Sequence, residues 1–480
     1  MDQNRTPIFD GLVDYNRQQL YSFHVPGHKD GLIFPEKAAE LFKSILSIDA
    51  TEVAHLDDLY HPEGMLGEAE CLLADYYKTI KSYFLVGGST LGNLTMVMAT
   101  CAPGDVVFVQ RDSHKSIFNA LKMAGAHPIF IAPEIDAETG LSIGMDPESL
   151  ARCLKRWPKA KALILTYPNY YGIAAHSVRR LIEQGQEHGL LILVDEAHGP
   201  HFKMGTPIPP STLDMGADFV VHSAHKMLPA MTMGAYLHVN SSRVSYDKIA
   251  SIREMLQSSS PSYPIMASLD LARYFMATLT REHLSQMLEQ RDRFVEQLQS
   301  VHGLQVLQTD PKRFTVDPFK ITLTLNTQET GFDVQEKLIA SGLYPEMADP
   351  RHVLLVLGLT DQIHYDNAYF RIRQVVSACT PRVTEYSEKP PSFPASIELS
   401  DTYRNLSGMR VVEVDQYQAI GKICAEHVIP YPPGIPVIIQ GECITARNIE
   451  MIRYWQRAGA AFQNESSNHE KIKIYQAGVS

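Results

Sequence analysis

Short apolar runs alternate with amphipathic stretches through the middle of the chain, from about residue 83 to residue 240. The runs are Tyr83–Val86, Val106–Gln110, Pro128–Ile131, Ala162–Tyr167, Leu190–Asp195, Phe219–His222 and Ala235–Val239. Each is too short for a helix and apolar on both alternating sets of positions, as strands covered on both faces are. Between two of them, Ser177–His188 puts Val178, Leu181 and Ile182 on one helical face and stops before Gly189, which predicts a helix. Strands separated by helices predict an α/β architecture, a largely parallel sheet with helices on both faces.

Beyond this region the pattern changes. Ser268–Gln299 reads as one long charged helix, Lys320–Leu325 alternates like a half-exposed strand, Val334–Ser341 looks helical and Val353–Leu359 reads as a strand. A smaller α+β domain is therefore expected to begin near residue 310. Phe23-His24-Val25-Pro26-Gly27-His28-Lys29 is too broken by Pro and Gly for a helix interior and is read as a loop. Lys389-Pro390-Pro391-Ser392-Phe393-Pro394 is read as a boundary or linker. The expected division is an arm over 1–50, a major domain over 51–310, a small α+β domain over 311–385, and a C-terminal region over 386–480 that completes the small domain.

Composition narrows the function. The 480 residues are 45% hydrophobic and 20% charged, an ordinary globular balance. Lys and Arg number 43 against 54 Asp and Glu, and a net charge of −11 disfavours nucleic acid and anionic membranes as partners. No apolar run approaches the roughly 18 residues of a membrane span, and Met1-Asp2-Gln3-Asn4-Arg5 leads into no signal-peptide core, so a soluble, unprocessed, cytoplasmic protein is expected. The six cysteines are scattered with no CxxC pair, which predicts reduced thiols and no structural zinc.

Open parallel sheets bind ligands at the carboxyl ends of their strands, so the residues after each apolar run are the candidates for chemistry. After Val86 comes Gly87-Gly88-Ser89-Thr90-Leu91-Gly92-Asn93, suited to a phosphate at a helix N-terminus. Then follow Arg111-Asp112-Ser113-His114-Lys115-Ser116, Asp195-Glu196-Ala197-His198-Gly199 and Ser223-Ala224-His225-Lys226. Taken singly, each has a plain structural explanation: a helix cap, a strand-end carboxylate, a solvated lysine, a surface or core histidine. Together they supply what pyridoxal 5'-phosphate requires: donors for its phosphate, a flat partner for its ring, a carboxylate for its pyridine nitrogen and an amine for its aldehyde. Ser89, Thr90, Ser223 and His225 would hold the phosphate. His114 would stack on the ring, with Ala197 against the opposite face, while Asp195 would pair with the ring nitrogen and Lys226 would form the covalent link. His198 is counted among the cofactor contacts.

Two rival readings are weaker. Asp195-Glu196-Ala197-His198 spells a helicase box and Gly87 to Gly92 mimics half a P-loop, but Asn93-Leu94 replaces the Lys-Ser/Thr that grips phosphates. A metal hydrolase would use His198-x-x-His201 and His222-x-x-His225, a scheme that leaves Lys226 and the Ser/Thr loop without a role. No metal is expected.

These motifs resemble the Orn/Lys/Arg decarboxylases in their short bacterial form, without an N-terminal response-regulator-like domain. The resemblance runs nearly end to end. It rests on the strand-end motifs above together with Phe23–Lys29, Ser258-Ser259-Ser260-Pro261-Ser262-Tyr263-Pro264 and Tyr431-Pro432-Pro433-Gly434-Ile435-Pro436. It implies a fold-type I pyridoxal-phosphate enzyme whose major domain binds the cofactor. It also implies a homodimer with shared sites, in which the stretch containing Ser259 reaches the neighbouring subunit's phosphate, and a contact from Glu346 to the distal cation of the substrate. The loop Tyr167-Pro168-Asn169-Tyr170-Tyr171-Gly172 departs from the Asn-Pro-Thr-Tyr that relatives often carry.

The expected reaction is decarboxylation of a basic L-amino acid, arginine ahead of lysine or ornithine, to its amine and CO2, as in polyamine biosynthesis. Lys226, His225, Asp195 and His114 would be its catalytic residues, with His225 or Lys226 returning a proton to Cα. The competing reading on this fold is an aminotransferase or other lyase, in which Arg371 or Arg373 would grip the α-carboxylate.

Overall fold

The computed structural model describes residues 1–18, 21–53, 56–382, 393–431, 434–463 and 470–476. The chain divides into two compact units. The first comprises Met1–Thr100, Leu193–Thr206 and Pro210–Thr280, and the second Cys101–Ile192, Pro207–Pro209 and Arg281–Ser480.

In chain order the principal elements are β1 (Lys81–Leu85), α1 (Gly88–Thr100), β2 (Val106–Gln110), α2 (Lys115–Ala124), β3 (His127–Ile131), β4 (Ala162–Thr166), α3 (Ser177–Glu187), β5 (Leu191–Asp195), β6 (Phe219–His222), β7 (Ala235–Val239), α4 (Tyr263–Thr278), α5 (Arg281–Gln299), β8 (Lys320–Leu325), α6 (Gly331–Ala340), β9 (His352–Val356), α7 (Asp366–Ser377) and β10 (Ser396–Glu398). All seven apolar runs of the central region are strands, and the helix expected after the fourth is α3. Phe23–Lys29 is a loop, as its Pro and Gly content requires.

Within the first unit the strands lie in the order β1, β7, β6, β5. Residues Leu193–Asp195 of β5 run parallel to β6, whereas β7 is antiparallel to both β6 and β1. The sheet is therefore mixed here. Residues 223–234, between β6 and β7, hold only the four-residue turn of helix Ala224–Met227, with no crossover helix to return the chain for parallel pairing. Every residue of β5, β6 and β7 is buried, and each large apolar side chain so covered contributes on the order of 1.5–3 kcal/mol. Helix α1 packs against these strands through Gly92. A Cβ there would lie 2.8 Å from Val221 Cγ1 and 2.9 Å from Leu85 Cδ1, a separation that only glycine permits.

In the second unit β2 runs parallel to both β3 and β4, and β10 adds an antiparallel strand on β3. A separate antiparallel sheet contains Leu304–Val306, β8, β9 and Met347–Ala348. A third, formed by Arg410–Asp415, Lys471–Gln476 and Ile423–Cys424, covers a core that includes Val428, Ile438, Ile449 and Ile452.

Two expectations change. Ser268–Gln299 is not one helix but the end of α4 and the whole of α5, because Leu279 leaves the helical region at φ −64°, ψ 123°. Strand β8 is not half-exposed: Lys320 and Thr322 are as buried as their apolar neighbours, and Lys320 Nζ donates to the Tyr170 carbonyl at 2.9 Å. Of the expected linker, Lys389 to Ser392 lie outside the described residues, as do Pro432 and Pro433 of the C-terminal motif. All six cysteines are unbridged, and among the described residues no helix is long and apolar enough to cross a membrane.

Candidate active site

The first unit gathers most of the candidate residues. Gly88 turns the chain into α1 with φ +75°, a backbone conformation glycine adopts without steric cost, and its N–H donates to the Met233 carbonyl at 2.8 Å. Ser89 and Thr90 then occupy the first turn of this 13-residue helix, where backbone N–H groups lack intrahelical partners and the dipole is positive. One turn further on, Asn93 Nδ2 donates to Asp195 Oδ2 at 2.8 Å.

Asp195 ends β5 and is 3% exposed. Its second oxygen accepts from the Ala197 N–H at 3.2 Å, so both carboxylate oxygens are oriented by donors. Asp195 pairs in register with Val221, and the Ser223 N–H donates to the Ala197 carbonyl at 3.3 Å. The segments Asp195–His198 and Ser223–Lys226 are thus neighbouring strand ends. Lys226 Nζ lies 3.0 Å from His198 Nε2, and both side chains are half-buried. His225 Nδ1 lies 3.2 Å from the Gly234 carbonyl, which can only accept, so that nitrogen carries a proton. Ser223 Oγ is 3.4 Å from the same Nδ1. Ser259 is exposed on the segment that follows Gln257.

The second unit holds His114 and Glu346. His114 caps α2: its Nδ1 accepts from the Ser116 N–H at 3.3 Å and sits 2.7 Å from Ser116 Oγ, which places the proton of a neutral ring on Nε2. Glu346 is exposed, its position set by its backbone N–H donating to the Leu354 carbonyl at 2.9 Å. The loop that departs from the family pattern is explained by Asn169. Its Oδ1 accepts from the N–H groups of Tyr171 and Ile173 at 3.0 and 2.9 Å, and its Nδ2 donates to the Ser142 carbonyl at 2.6 Å. That side chain is spent on building the turn. Arg371 and Arg373 are exposed on α7.

The metal reading fails on His222. Its Nε2 faces Glu196 Oε1 at 3.0 Å and its Nδ1 faces His238 Nε2 at 3.0 Å, so neither nitrogen is available to an ion. Among the described residues no group of three or more His, Cys, Asp or Glu has a metal-holding arrangement. Sequence reasoning missed Asn93, which it weighed only as the residue that breaks a P-loop. The signal was its spacing: four residues after Ser89 and three after Thr90, it shares their helix face.

Comparison with solved structures defines the class. The chain superposes on the lysine decarboxylase of Francisella novicida with a TM-score of 0.78, covering 98% of this chain and 81% of that one at 19% identity. It also matches a serine palmitoyltransferase (SPT) structure that contains pyridoxal phosphate, with a TM-score of 0.54 over 73% of this chain and 84% of that one at 18% identity. The fold is that of the fold-type I pyridoxal-phosphate enzymes. In sequence, the protein YaaO of Bacillus subtilis is 40% identical over 450 residues, 93% of each chain. The arginine decarboxylase of the same organism is 33% identical over 483 residues, 99% of this chain and 98% of that one. Residues 6–312 match the model of the Orn/Lys/Arg decarboxylase major domain, and 385–465 match that of the C-terminal domain. The chain belongs to the Orn/Lys/Arg decarboxylase family and is an amino-acid decarboxylase.

Proposed function

We propose that this protein decarboxylates a basic L-amino acid, arginine ahead of lysine and ornithine, releasing the corresponding amine and CO2 with pyridoxal 5'-phosphate as cofactor. The observation that carries the reading is the pairing of neighbouring strand ends in the first unit: an oriented Asp195 carboxylate on one, and Lys226 with His225 on the other. This donor set fits the cofactor. Ser89, Thr90 and the open N–H groups of α1, with Ser223 and His225, suit a phosphate dianion; Asp195 suits a ring nitrogen; Lys226 suits an aldehyde carbon. The preference for arginine rests on the relatives that carry that activity in their names.

When bound, pyridoxal 5'-phosphate supplies the carbonyl that links to an amine and the protonated ring that takes up the electron pair left as CO2 departs. The protein's own groups do the rest. Asp195, fixed through both oxygens, holds a proton at the ring nitrogen, while Asn93 keeps its carboxylate from turning away. His198 Nε2 accepts a hydrogen bond from Lys226 Nζ and so offers a place for the proton that the amine sheds before it acts as a nucleophile. His225 Nε2 or Lys226 Nζ returns a proton to the substrate Cα. His114 would supply the flat partner for the cofactor ring and Ala197 a contact on its other face, and Glu346 would meet the distal cation of the substrate.

The same reading makes the protein a cytoplasmic homodimer with shared sites, in which Ser259 serves the neighbouring subunit. Its support is the exposed apolar surface of the N-terminal arm, where Tyr21, Phe23, Leu32 and Leu41 are each more than four-fifths exposed, and the exposure of Ser258 to Ser260.

The test is direct. Purified protein loaded with pyridoxal phosphate is incubated separately with arginine, lysine and ornithine, and the amine is identified. CO2 release with no keto-acid requirement is expected. Lys226→Ala should lower kcat by about 10³-fold or more, since Lys226 is the amine assigned to the covalent link. Dependence on a keto-acid acceptor, or a Lys226→Ala variant at full turnover, would overturn the reading.

A further inference from the structure

Behind the strand ends of the first unit a row of polar side chains crosses a sheet whose other buried side chains are mostly apolar. Glu196, His222, His238 and Ser82 are each 0% exposed. Glu196 Oε1 lies 3.0 Å from His222 Nε2, His222 Nδ1 lies 3.0 Å from His238 Nε2, His238 Nδ1 lies 2.8 Å from Ser82 Oγ, and Ser82 Oγ lies 2.7 Å from Thr79 Oγ1. Strand register explains the row. Ser82 opposes His238 directly across β1 and β7, and His222 is the diagonal neighbour of His238, since Val220 opposes it across β7 and β6. The chain of contacts therefore steps through β1, β7 and β6 to the residue that follows β5.

Donor and acceptor inventory gives the row a single direction. The other oxygen of Glu196 accepts from both the backbone N–H and the hydroxyl of Thr212, so the His222 contact cannot be reversed without placing a proton on this carboxylate. A neutral His222 then donates from Nε2 and accepts at Nδ1. His238 must donate from Nε2 and accept at Nδ1 from Ser82. As neutral rings, both imidazoles are Nε2–H tautomers. Burial and the neighbouring His222 and Lys203 hold His238 well below its ordinary value, in keeping with a neutral ring. The Tyr77 ring closes over both, with centroids 5.1 Å from His222 and 4.4 Å from His238, and its hydroxyl donates to the Pro200 carbonyl at 2.6 Å.

Four buried polar groups in an apolar sheet destabilise unless each is satisfied, and an apolar stripe would fill the same space with no such demand. What the polar row adds is registration. Glu196 directly follows Asp195, and His222 directly precedes Ser223 and the turn bearing His225 and Lys226. We propose that Glu196, His222 and His238 are positioning residues that lock the ends of β5 and β6 to each other, fixing Asp195 relative to Lys226 for cofactor capture and turnover. This rests on the reading of Asp195 and Lys226 as cofactor residues.

Three measurements test it. First, pyridoxal phosphate affinity of the apoprotein is measured for wild type and His222→Leu. The variant is expected to bind about tenfold more weakly and, at saturating cofactor, to lose about a hundredfold in kcat with little change in substrate KM, the signature of misplaced groups. Second, Ser82→Ala and Ser82→Thr are compared. Ser82 lies at the end of the row remote from Glu196, so a loss of affinity in the alanine variant that threonine restores would show transmission along the row, and it needs no His222 variant to fold. Third, ¹⁵N-histidine spectra of the apoprotein report the tautomers, with Nε2–H expected on both His222 and His238. Wild-type affinity and kcat in His222→Leu, equal affinities in both Ser82 variants, or an Nδ1–H tautomer on either ring would overturn the inference. Wild type that binds no pyridoxal phosphate would instead sink the proposed function.

Discussion

The hydrogen bond from Asn93 to Asp195 is part of the site's chemistry that is not visible in the sequence. Asp195 and Lys226 are legible because a strand-end carboxylate and a lysine after Ser223 and His225 occur together with a Ser/Thr loop and His114 at other strand ends. Asn93 is not, since an amide inside a helix has no characteristic role until the helix is docked. Its bond to Asp195 Oδ2 is of the charge-assisted kind, worth about 1.5–3 kcal/mol. Asn93→Leu keeps the volume and removes the donor. We expect kcat to fall by about tenfold or more with substrate KM nearly unchanged, because the carboxylate is freed to rotate while the substrate contacts stay. Steady-state kinetics at saturating cofactor would show it, and an unchanged kcat would mean that the Ala197 N–H alone orients Asp195.

At the scale of elements, strand positions were legible because buried strands need continuous apolar runs, and all seven runs became strands. Direction was not legible: β7 is antiparallel because of what the preceding connection lacks, and apolarity is the same in either direction. Helix ends depended on capping. Helix α6 starts at Gly331, earlier than its apolar spacing suggests, because Thr330 and Asp333 form a capping box. The docking of α1 makes a sharper prediction. Gly92→Ala would push a methyl into Val221 and Leu85, and overpacking of this kind costs about 1–3 kcal/mol. A lowered urea midpoint with an unchanged m-value is expected. Because α1 also carries Ser89, Thr90 and Asn93, cofactor affinity should fall with it.

For the molecule as a whole, buried ionisable groups set how stability responds to pH. In the second unit Asp349 is buried, which by itself raises its carboxyl. That effect is outweighed by His352, whose Nδ1 lies 2.8 Å away, by the Tyr171 hydroxyl and by the Arg351 N–H, so the group is held below the ordinary value of 3.8. A carboxyl depressed on folding adds stability that is fully present above its unfolded value and is lost as pH falls through the folded one. Asp349→Asn should therefore be less stable than wild type by about 1–3 kcal/mol at neutral pH, and the gap should narrow below pH 3.8. Urea unfolding across that range checks both signs. The sequence by itself determined the α/β class, the strand positions, the absence of a membrane-spanning apolar run and the residue types proposed for pyridoxal phosphate, because these follow from local apolar periodicity and functional-group chemistry. Only the tertiary structure decided which groups meet. Asn93 on Asp195, His198 on Lys226 and the buried row from Glu196 to Ser82 join residues up to 156 positions apart, and such contacts are set by strand order and register, which local patterning does not encode.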